Sequence, residues 1–431
     1  MIVAPGLIRG TPRYTRGRQI FSQLNPTRYV EPGVLASPFT ITRAQAAGVQ
    51  STSLGSDGTT WQTYGANTAR FFDSAQALLI EPQTTNRIRN PRGEGGITSP
   101  PSWAVFANNG LTTSIAGRGT QDGREYVDLR LNGTSTGTFY VQVFDNIAAA
   151  VTAGQSSIGS VWVSVVGGSL NNITSFATQL RWSAGGTNSV FSTPTSTPTR
   201  LTHIGVAPTV ATSVFYGYTL EFNSGVAIDV TFRFSWPQLE TNRSFLLTPA
   251  LPPVGALGAS TRGVDNISAP LISLGLSNLA QGTGCTVLWA GGFFATNFDS
   301  QQTIVAIDDG VAQNRFELRI GRQAQPESLL VIDSAQYPAG GTGLVPPNKL
   351  IKAGMTITPT GELSVVYDGF NNNVPIIMSG GTTTNALTTL RLGGSGTGAA
   401  RPLTGTTRAL YVAPTALSAT DLSAALMAMP V

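Results

Sequence analysis

Charge is what this chain has least of. Only 11% of its 431 residues are Asp, Glu, Lys or Arg, against roughly 25% in an ordinary soluble domain. Lysine is almost missing, with Lys349 and Lys352 the only two. Surface helices draw on Glu, Lys, Ala and Leu for their outer turns, so the shortage argues against a helical protein. The single cysteine, Cys285, excludes an intrachain disulfide and a cysteine metal site. The single histidine, His203, excludes a histidine-rich metal centre, and any Ser-His-Asp or Cys-His machinery would have to use it. No stretch approaches the roughly 18 uninterrupted apolar residues of a membrane-spanning helix. The opening MIVAPGLIRG has too short an apolar run before its arginines for a secretory signal.

What stands in place of charge is Gly, Ser, Thr and Asn beside 41% apolar residues. That mixture suits short strands joined by tight turns around substantial cores. A net charge of +4 and near-normal apolar content do not fit the disorder signature. The basic residues are scattered, which leaves little case for nucleic acid despite a pI near 9.4. Their one concentrated block is Arg9, Arg13, Arg16, Arg18 and Arg28, with no acid before Glu31. Pro and Gly punctuate it, so it reads as an extended, non-helical arm. Arg9, Arg13, Arg16 and Arg18 are its candidate attachment residues.

The chain divides as an arm (1–30), an irregular clamp (31–90), a first sandwich (91–247), a linker (248–268) and a second sandwich (269–431). Period-two alternation, with one face buried and the other exposed, runs through Arg124–Leu131, Thr138–Phe144, Ser160–Val166 and Val230–Trp236. It recurs in Thr286–Ala290, Gln302–Ile307, Arg315–Ile320 and Leu363–Asp368. Asn132-Gly133, Gly167-Gly168 and Ser56-Asp57-Gly58 read as turns. Leu78–Ile80 is short and ends at Pro82, so it reads as a strand or an extended clamp. Residues 416–428 form the one convincing helix, with Ser418 placed to cap it and Leu422 and Leu426 on one face. The fold class is all-β: two tandem β-sandwich (jelly-roll) modules with an extended N-terminal arm.

Catalytic chemistry is thinly represented. A glycosidase needs two carboxylates facing a cleft, and the candidates are Asp299, Asp308, Asp309, Glu317 and Asp333. Asp308-Asp309-Gly310 reads first as a hairpin turn. Loop carboxylates could hold Ca²⁺ through oxygen, although no dense Asp cluster is present. Gly393-Gly394-Ser395-Gly396 lacks the Lys-Ser/Thr of a phosphate loop. Sugar binding instead needs an aromatic ring against the sugar's apolar face and polar groups for its hydroxyls. Trp162, Trp236 and Trp289 lie in apolar runs and read as core, and Trp61 lies in the clamp. Trp103 and Trp182, the latter beside Arg181, have polar neighbours and are the better candidates. Tyr367 with Asp368, Asn371 and Asn372 is the candidate in the second module.

A family likeness enters at Ala69–Asn90 (ARFFDSAQALLIEPQTTNRIRN). It resembles a stretch of phage and gene transfer agent tail and spike proteins, where Phe-Phe-Asp, Leu-Leu-Ile-Glu and Thr-Asn precede a carbohydrate-binding-like jelly roll. Gln238-Leu239-Glu240 and Ser260-Thr261-Arg262 resemble that module's exit. Leu390–Gly394, Gly405–Tyr411 and the Leu417–Leu426 helix resemble a concanavalin-A-like or laminin-G lectin domain. The head spikes of gene transfer agents, which grip capsular polysaccharide, are the nearest of these; residues 1–64 carry no likeness. The resemblance implies a non-enzymatic virion spike or fibre subunit that binds host capsular polysaccharide for adsorption. The alternatives are a capsule-degrading glycosidase or a purely structural decoration protein. It further implies contacts to other virion proteins through the arm and a homo-oligomer, trimeric or, at a capsid vertex, pentameric. It implies no nucleic acid partner, membrane insertion or cofactor. The site of action would be the virion surface, after synthesis in the bacterial cytoplasm and release by lysis.

Overall fold

A computed structural model describes residues 12–245, 247–276, 279, 282–294, 301–310, 314–322, 325–332, 335–340, 349–368, 376–379, 387–395 and 401–431. The chain forms two compact units. Unit 1 comprises residues 1–43, 67–82 and 264–431; unit 2 comprises 44–66 and 83–263. The described residues are nearly all β, in antiparallel sheets. None of their helices is long and apolar enough to cross a membrane.

Unit 1 is a two-sheet sandwich. In one sheet, strand Cys285–Phe293 lies between Gly405–Ala413 and Ile351–Ile357, with Glu362–Tyr367 beyond. In the other, Gln302–Asp308 lies between Arg315–Ile320 and Thr389–Leu392, and Asn266–Pro270 follows. Alternation places Val287, Trp289, Met355 and Leu410 of the first sheet against Ile307, Phe316, Leu318 and Leu390 of the second. Each such side chain, fully buried, contributes roughly 1.5–3 kcal/mol of transfer free energy. Cys285 is buried in this core, and burial pushes its thiol up to about 12. The opposite phase of the first sheet (Leu288, Ala290, Val366, Ala409) is covered by two helices, α1 (Pro12–Leu24) and α2 (Ala419–Ala428).

Helix α2 matches its sequence signal, with the Ser418 hydroxyl accepting from the Asp421 amide at 3.2 Å. Helix α1 corrects the reading of residues 1–30 as a non-helical arm. Pro12 sits in its first turn, where the missing amide hydrogen costs nothing. Gly17 is there for closeness: a Cβ on it would stand 2.3 Å from the Ala424 carbonyl oxygen of α2. Ile20, Phe21 and Leu24 complete an apolar face on unit 1.

Unit 2 is a second sandwich with an added layer. Its five-stranded sheet has Arg124–Thr134, Ala227–Thr241 and Ser156–Gly168 at the centre. Its six-stranded sheet has Ser213–Phe222 between Ile173–Trp182 and Phe139–Val143, with Thr187–Ser192 and Ala104–Ala107 outside. Leu129, Val163, Phe232 and Phe234 meet Phe176, Leu180, Tyr218 and Leu220 between them. Asn132-Gly133 is not the turn its composition suggests; both residues lie inside a strand, paired across to Thr112 and to Asp229–Ile228. A small sheet of Gln50–Leu54, Trp61–Tyr64 and Ala250–Leu251 forms a third layer. Its Trp61 and Leu251 pack on Trp162 and Trp236. The three indoles meet edge to face at 5.1–6.2 Å, an arrangement that aromatic quadrupoles favour.

Residues 31–90 are therefore no clamp or linker. Thr27–Glu31 and Ala77–Ile80 pair with opposite ends of Gly405–Ala413, and Thr40–Thr42 pairs with Asn266–Pro270 in unit 1. Gln50–Leu54 and Trp61–Tyr64 serve unit 2. The chain passes between units at 43/44, 66/67, 82/83 and 263/264. Beside those four points, within unit 1, Arg43, Arg70, Glu81 and Asp265 form one buried ionic knot. Arg70 reaches Glu81 at 2.8 Å and Asp265 at 2.5 Å, and Arg43 reaches Asp265 at 2.6 Å.

Candidate functional site

The inner face of unit 2's six-stranded sheet makes the core, so its other phase faces away from that core. Along Ile173–Trp182 those outward residues are Ser175, Ala177, Gln179 and Arg181. Cross-strand register sets Glu221, Thr219, Gly217 and Phe215 beside them on one side. On the other side, Phe191, Ser189 and Thr187 stand opposite Ala177, Gln179 and Arg181. From Arg181 to Ser175 the row runs about 20 Å at roughly 3.4 Å per residue.

Aromatic rings mark both ends. Phe106 lies edge-on to Phe215 at 5.1 Å, and the Arg181 guanidinium sits 5.8 Å from the Phe106 centroid. At the other end Phe191 is 63% exposed, and Phe106 and Phe139 are each 45% exposed. Three large exposed rings on one sheet face are a feature that asks for a ligand. Between them the side chains are short or polar. Gln179 accepts from Arg181 at 3.3 Å and donates to the Ser189 hydroxyl at 3.3 Å. Beyond Phe191, Ser175, Ser192 and Thr193 line a groove of about 460 Å³. The face thus offers apolar rings, the half-buried Arg181 and Ser189, and an exposed Glu221 at one end, over a base of buried Ala177, Gln179 and Thr219.

Arg181 is the sequence candidate that this face includes. Trp182 points the opposite way, into the core; its phase is that of Leu180 and Phe176, and its polar neighbours are the outward residues. Trp103 is also core, lying edge-on to Phe144 at 4.9 Å and donating from Nε1 to the Asn90 carbonyl. Both readings as exposed sugar platforms are corrected by burial. Tyr367 is buried in unit 1, its hydroxyl donating toward the carbonyls of Arg319 (2.6 Å) and Glu327 (2.7 Å). Burial pushes that phenol up from its ordinary value. Asp368 is half-buried, its amide donating to the Lys352 carbonyl. Asn371 and Asn372 lie outside the described residues, as do Arg9, Asp299 and Asp333.

Of the attachment arginines, Arg13 and Arg18 fall within α1. Arg16 pairs with Asp421 of α2 at 2.9 Å. Asp308 and Glu317 come out on neighbouring strands of unit 1, each held by arginine. Asp308 accepts from Arg391 Nε at 2.7 Å, and Glu317 from Arg315, with Arg401 3.4 Å away. Asp309 closes the hairpin, accepting from the Asn314 amide at 2.8 Å. His203 is buried. Its Nδ1 donates to the Thr178 carbonyl, and its Nε2 faces the Asn188 side-chain amide at 2.9 Å. Desolvation lowers its pKa from 6.5. Among the described residues no three His, Cys, Asp or Glu side chains converge.

No family model and no curated protein matches the chain. Solved structures with some likeness include the CBM40 of the Ruminococcus gnavus IT-sialidase bound to α2,6-sialyllactose. Its identity is 15% and its TM-score 0.31, over 37% of this chain and 92% of that one. The tandem CBM22 domains from Paenibacillus barcinonensis Xyn10C share 8% identity at TM-score 0.26, over 79% and 98%. Trypanosoma rangeli sialidase in complex with sialic acid shares 11% at TM-score 0.28, over 90% and 76%. At such scores no residue role passes from those proteins to this one, and the site stands on its own geometry.

Sequence reasoning missed Phe106, Phe191, Phe215 and Gln179. The phase of Phe176-Ala177-Thr178-Gln179-Leu180-Arg181-Trp182 carried the signal. If Phe176 and Leu180 face the core, Gln179 and Arg181 face out and Trp182 faces in.

Proposed function

We propose that this protein is a non-enzymatic glycan binder, and that the outer face of unit 2's six-stranded sheet is where an extended sugar chain lies. The observation that carries this is the row Phe106/Phe215–Arg181–Gln179–Ser189–Phe191. Its rings are placed to stack on sugar faces. Between the rings the half-buried Arg181 and Ser189 can trade water for sugar hydroxyls at little net cost, because each exchange is worth only about 0.5–1.5 kcal/mol. A length of about 20 Å suits several linked sugars rather than one. Against a hydrolase reading, Asp308 and Glu317 are already committed to arginines. The finer reading rests on the resemblance at Ala69–Asn90: a spike or fibre on a phage or gene transfer agent particle, gripping host capsule. One shallow site binds weakly, and a homo-oligomer would raise avidity by about 10²–10⁴.

The test is adsorption of the purified full chain to capsulated and acapsular cells. Arg181→Ala and Phe191→Ala should each weaken capsule binding on the order of tenfold, with unchanged thermal stability and no release of reducing ends. Equal adsorption to both cell types, or full binding by the double variant, would remove this site from consideration. Reducing ends released by the wild-type chain would favour the depolymerase instead.

A further inference from the structure

Unit 1 holds a separate pocket whose chemistry differs from the face just described. It is a cavity of about 140 Å³, a size that admits a single ring rather than a chain. Its wall includes Phe72 and Phe294, whose rings are 5.4 Å apart and tilted by 56°. Phe72 and Asp73 belong to the Phe-Phe-Asp motif, which the proposed function leaves unused.

The floor is bare backbone. A Cβ on Gly291 would stand 2.0 Å from the Thr406 carbonyl oxygen, and one on Gly292 would stand 3.1 Å from that of Lys349. Two cations line the opening. Strand pairing runs Ala290↔Ala409 and then Gly291↔Thr407, so Arg408 is the extra residue of a β-bulge. Bulges re-aim side chains, often beside sites; here the bulge presents an exposed Arg408 to the pocket. Lys349, also exposed, lines it too. Among the described residues neither has an ion-pair partner. Asp73 uses one carboxylate oxygen to accept from the Ala75 amide at 2.7 Å, and its other oxygen is placed to accept a hydroxyl.

We infer that this pocket binds one carboxylate-bearing sugar residue, such as a uronate. The carboxylate meets Arg408 and Lys349, the ring lies against Phe72 and Phe294, and a ring hydroxyl donates to Asp73. Arginine's planar fork matches a carboxylate bidentately, and a chain with two lysines places one of them here. This pocket stands or falls independently of the unit 2 face.

The experiment is ligand-observed saturation-transfer NMR on the full chain with D-glucuronate, D-glucose and acetate. Glucuronate should bind saturably, with glucose and acetate each weaker by at least on the order of tenfold, the worth of a charge-assisted contact or of a ring's stacking. Lys349→Gln and Arg408→Gln should each cost a similar factor, and Arg408→Lys, which keeps the charge but loses the fork, should recover only part of the binding. Arg181→Ala should leave glucuronate unaffected. Both cations are exposed, so two independent variants guard against a folding defect in one. The inference is overturned if glucuronate does not saturate or glucose matches it. It is equally overturned if both Gln variants bind normally or Arg181→Ala abolishes the signal. Acetate binding as tightly as glucuronate would reduce the pocket to an anion site and overturn the sugar assignment.

Discussion

Two regions of the molecule, the charged interior of unit 1 and the outward sheet face of unit 2, use their polar residues differently. Unit 1 buries charge: Asp308 with Arg391, Glu317 among Arg315, Arg319 and Arg401, and Arg70 between Glu81 and Asp265. Unit 2's outward sheet face sets neutral groups, the half-buried Ser189 and the buried Gln179 and Thr219, beside exposed rings. A buried ion pair is costly to break, because the surviving charge has lost its water. A neutral amide or hydroxyl gives up water for little. One chain poor in charge thus holds buried ion pairs in unit 1 and, on one sheet face of unit 2, neutral groups beside exposed rings.

The contrast breaks most visibly at the ionic knot. Asp265→Ala takes the carboxylate from Arg43 and leaves Arg70 with Glu81 alone, and should destabilise unit 1 by about 3–5 kcal/mol while leaving unit 2 near wild type. Hydrogen exchange resolved by segment would show it, and equal loss of protection in both units would refute the separation. A smaller effect belongs to unit 2. Burial depresses the pKa of His203, so the unfolded chain takes up its proton first as pH falls. That stability is fully present above pH 6.5, the unfolded value, and is lost as pH drops from there through the folded value. Denaturant midpoints of unit 2 between pH 5 and 8 should show this slope, and His203→Gln should flatten it; unit 1 has no histidine and lacks this dependence. Least of all should Arg16→Ala matter. Its pair with Asp421 is exposed, and exposed pairs are worth about 0–1 kcal/mol. A thermal midpoint shifted by more than a few degrees would show that α1 is held by charge rather than by Ile20, Phe21 and Leu24.

The strands of both sandwiches were legible because period-two alternation survives in Val230–Phe234 and Leu363–Val365, and α2 because Ser418 caps it. Trp162 shows where reading stops. Val161 and Val163 face the main core, so Trp162 points away from it, yet it too is buried. The layer that buries it comes from residues 50–64 and 250–251, and nothing local announces that. The same holds for residues 31–90, whose strands of two to five residues are too short for a period, and three of which (Thr27–Glu31, Thr40–Thr42 and Ala77–Ile80) join sheets through partners hundreds of positions away. Helix α1 was hidden by Pro12 and Gly17, which read as breakers but serve as a first-turn residue and a close-packing point. At the site, Arg181 was legible by composition, whereas Trp182 misled because composition was weighed ahead of phase.

The interleaved course of the first 90 residues has a consequence for synthesis. Strand Thr27–Glu31 has only the two-residue strand Val34–Leu35 to pair with until Gly405–Ala413 is made, so unit 1 cannot close until residue 413 has left the ribosome. Unit 2, complete by residue 263, is free to fold first. Thr27–Glu31 and Ala77–Ile80 would then each keep one side unpaired until Gly405–Ala413 arrives, exposed edges in need of a chaperone or a fast finish.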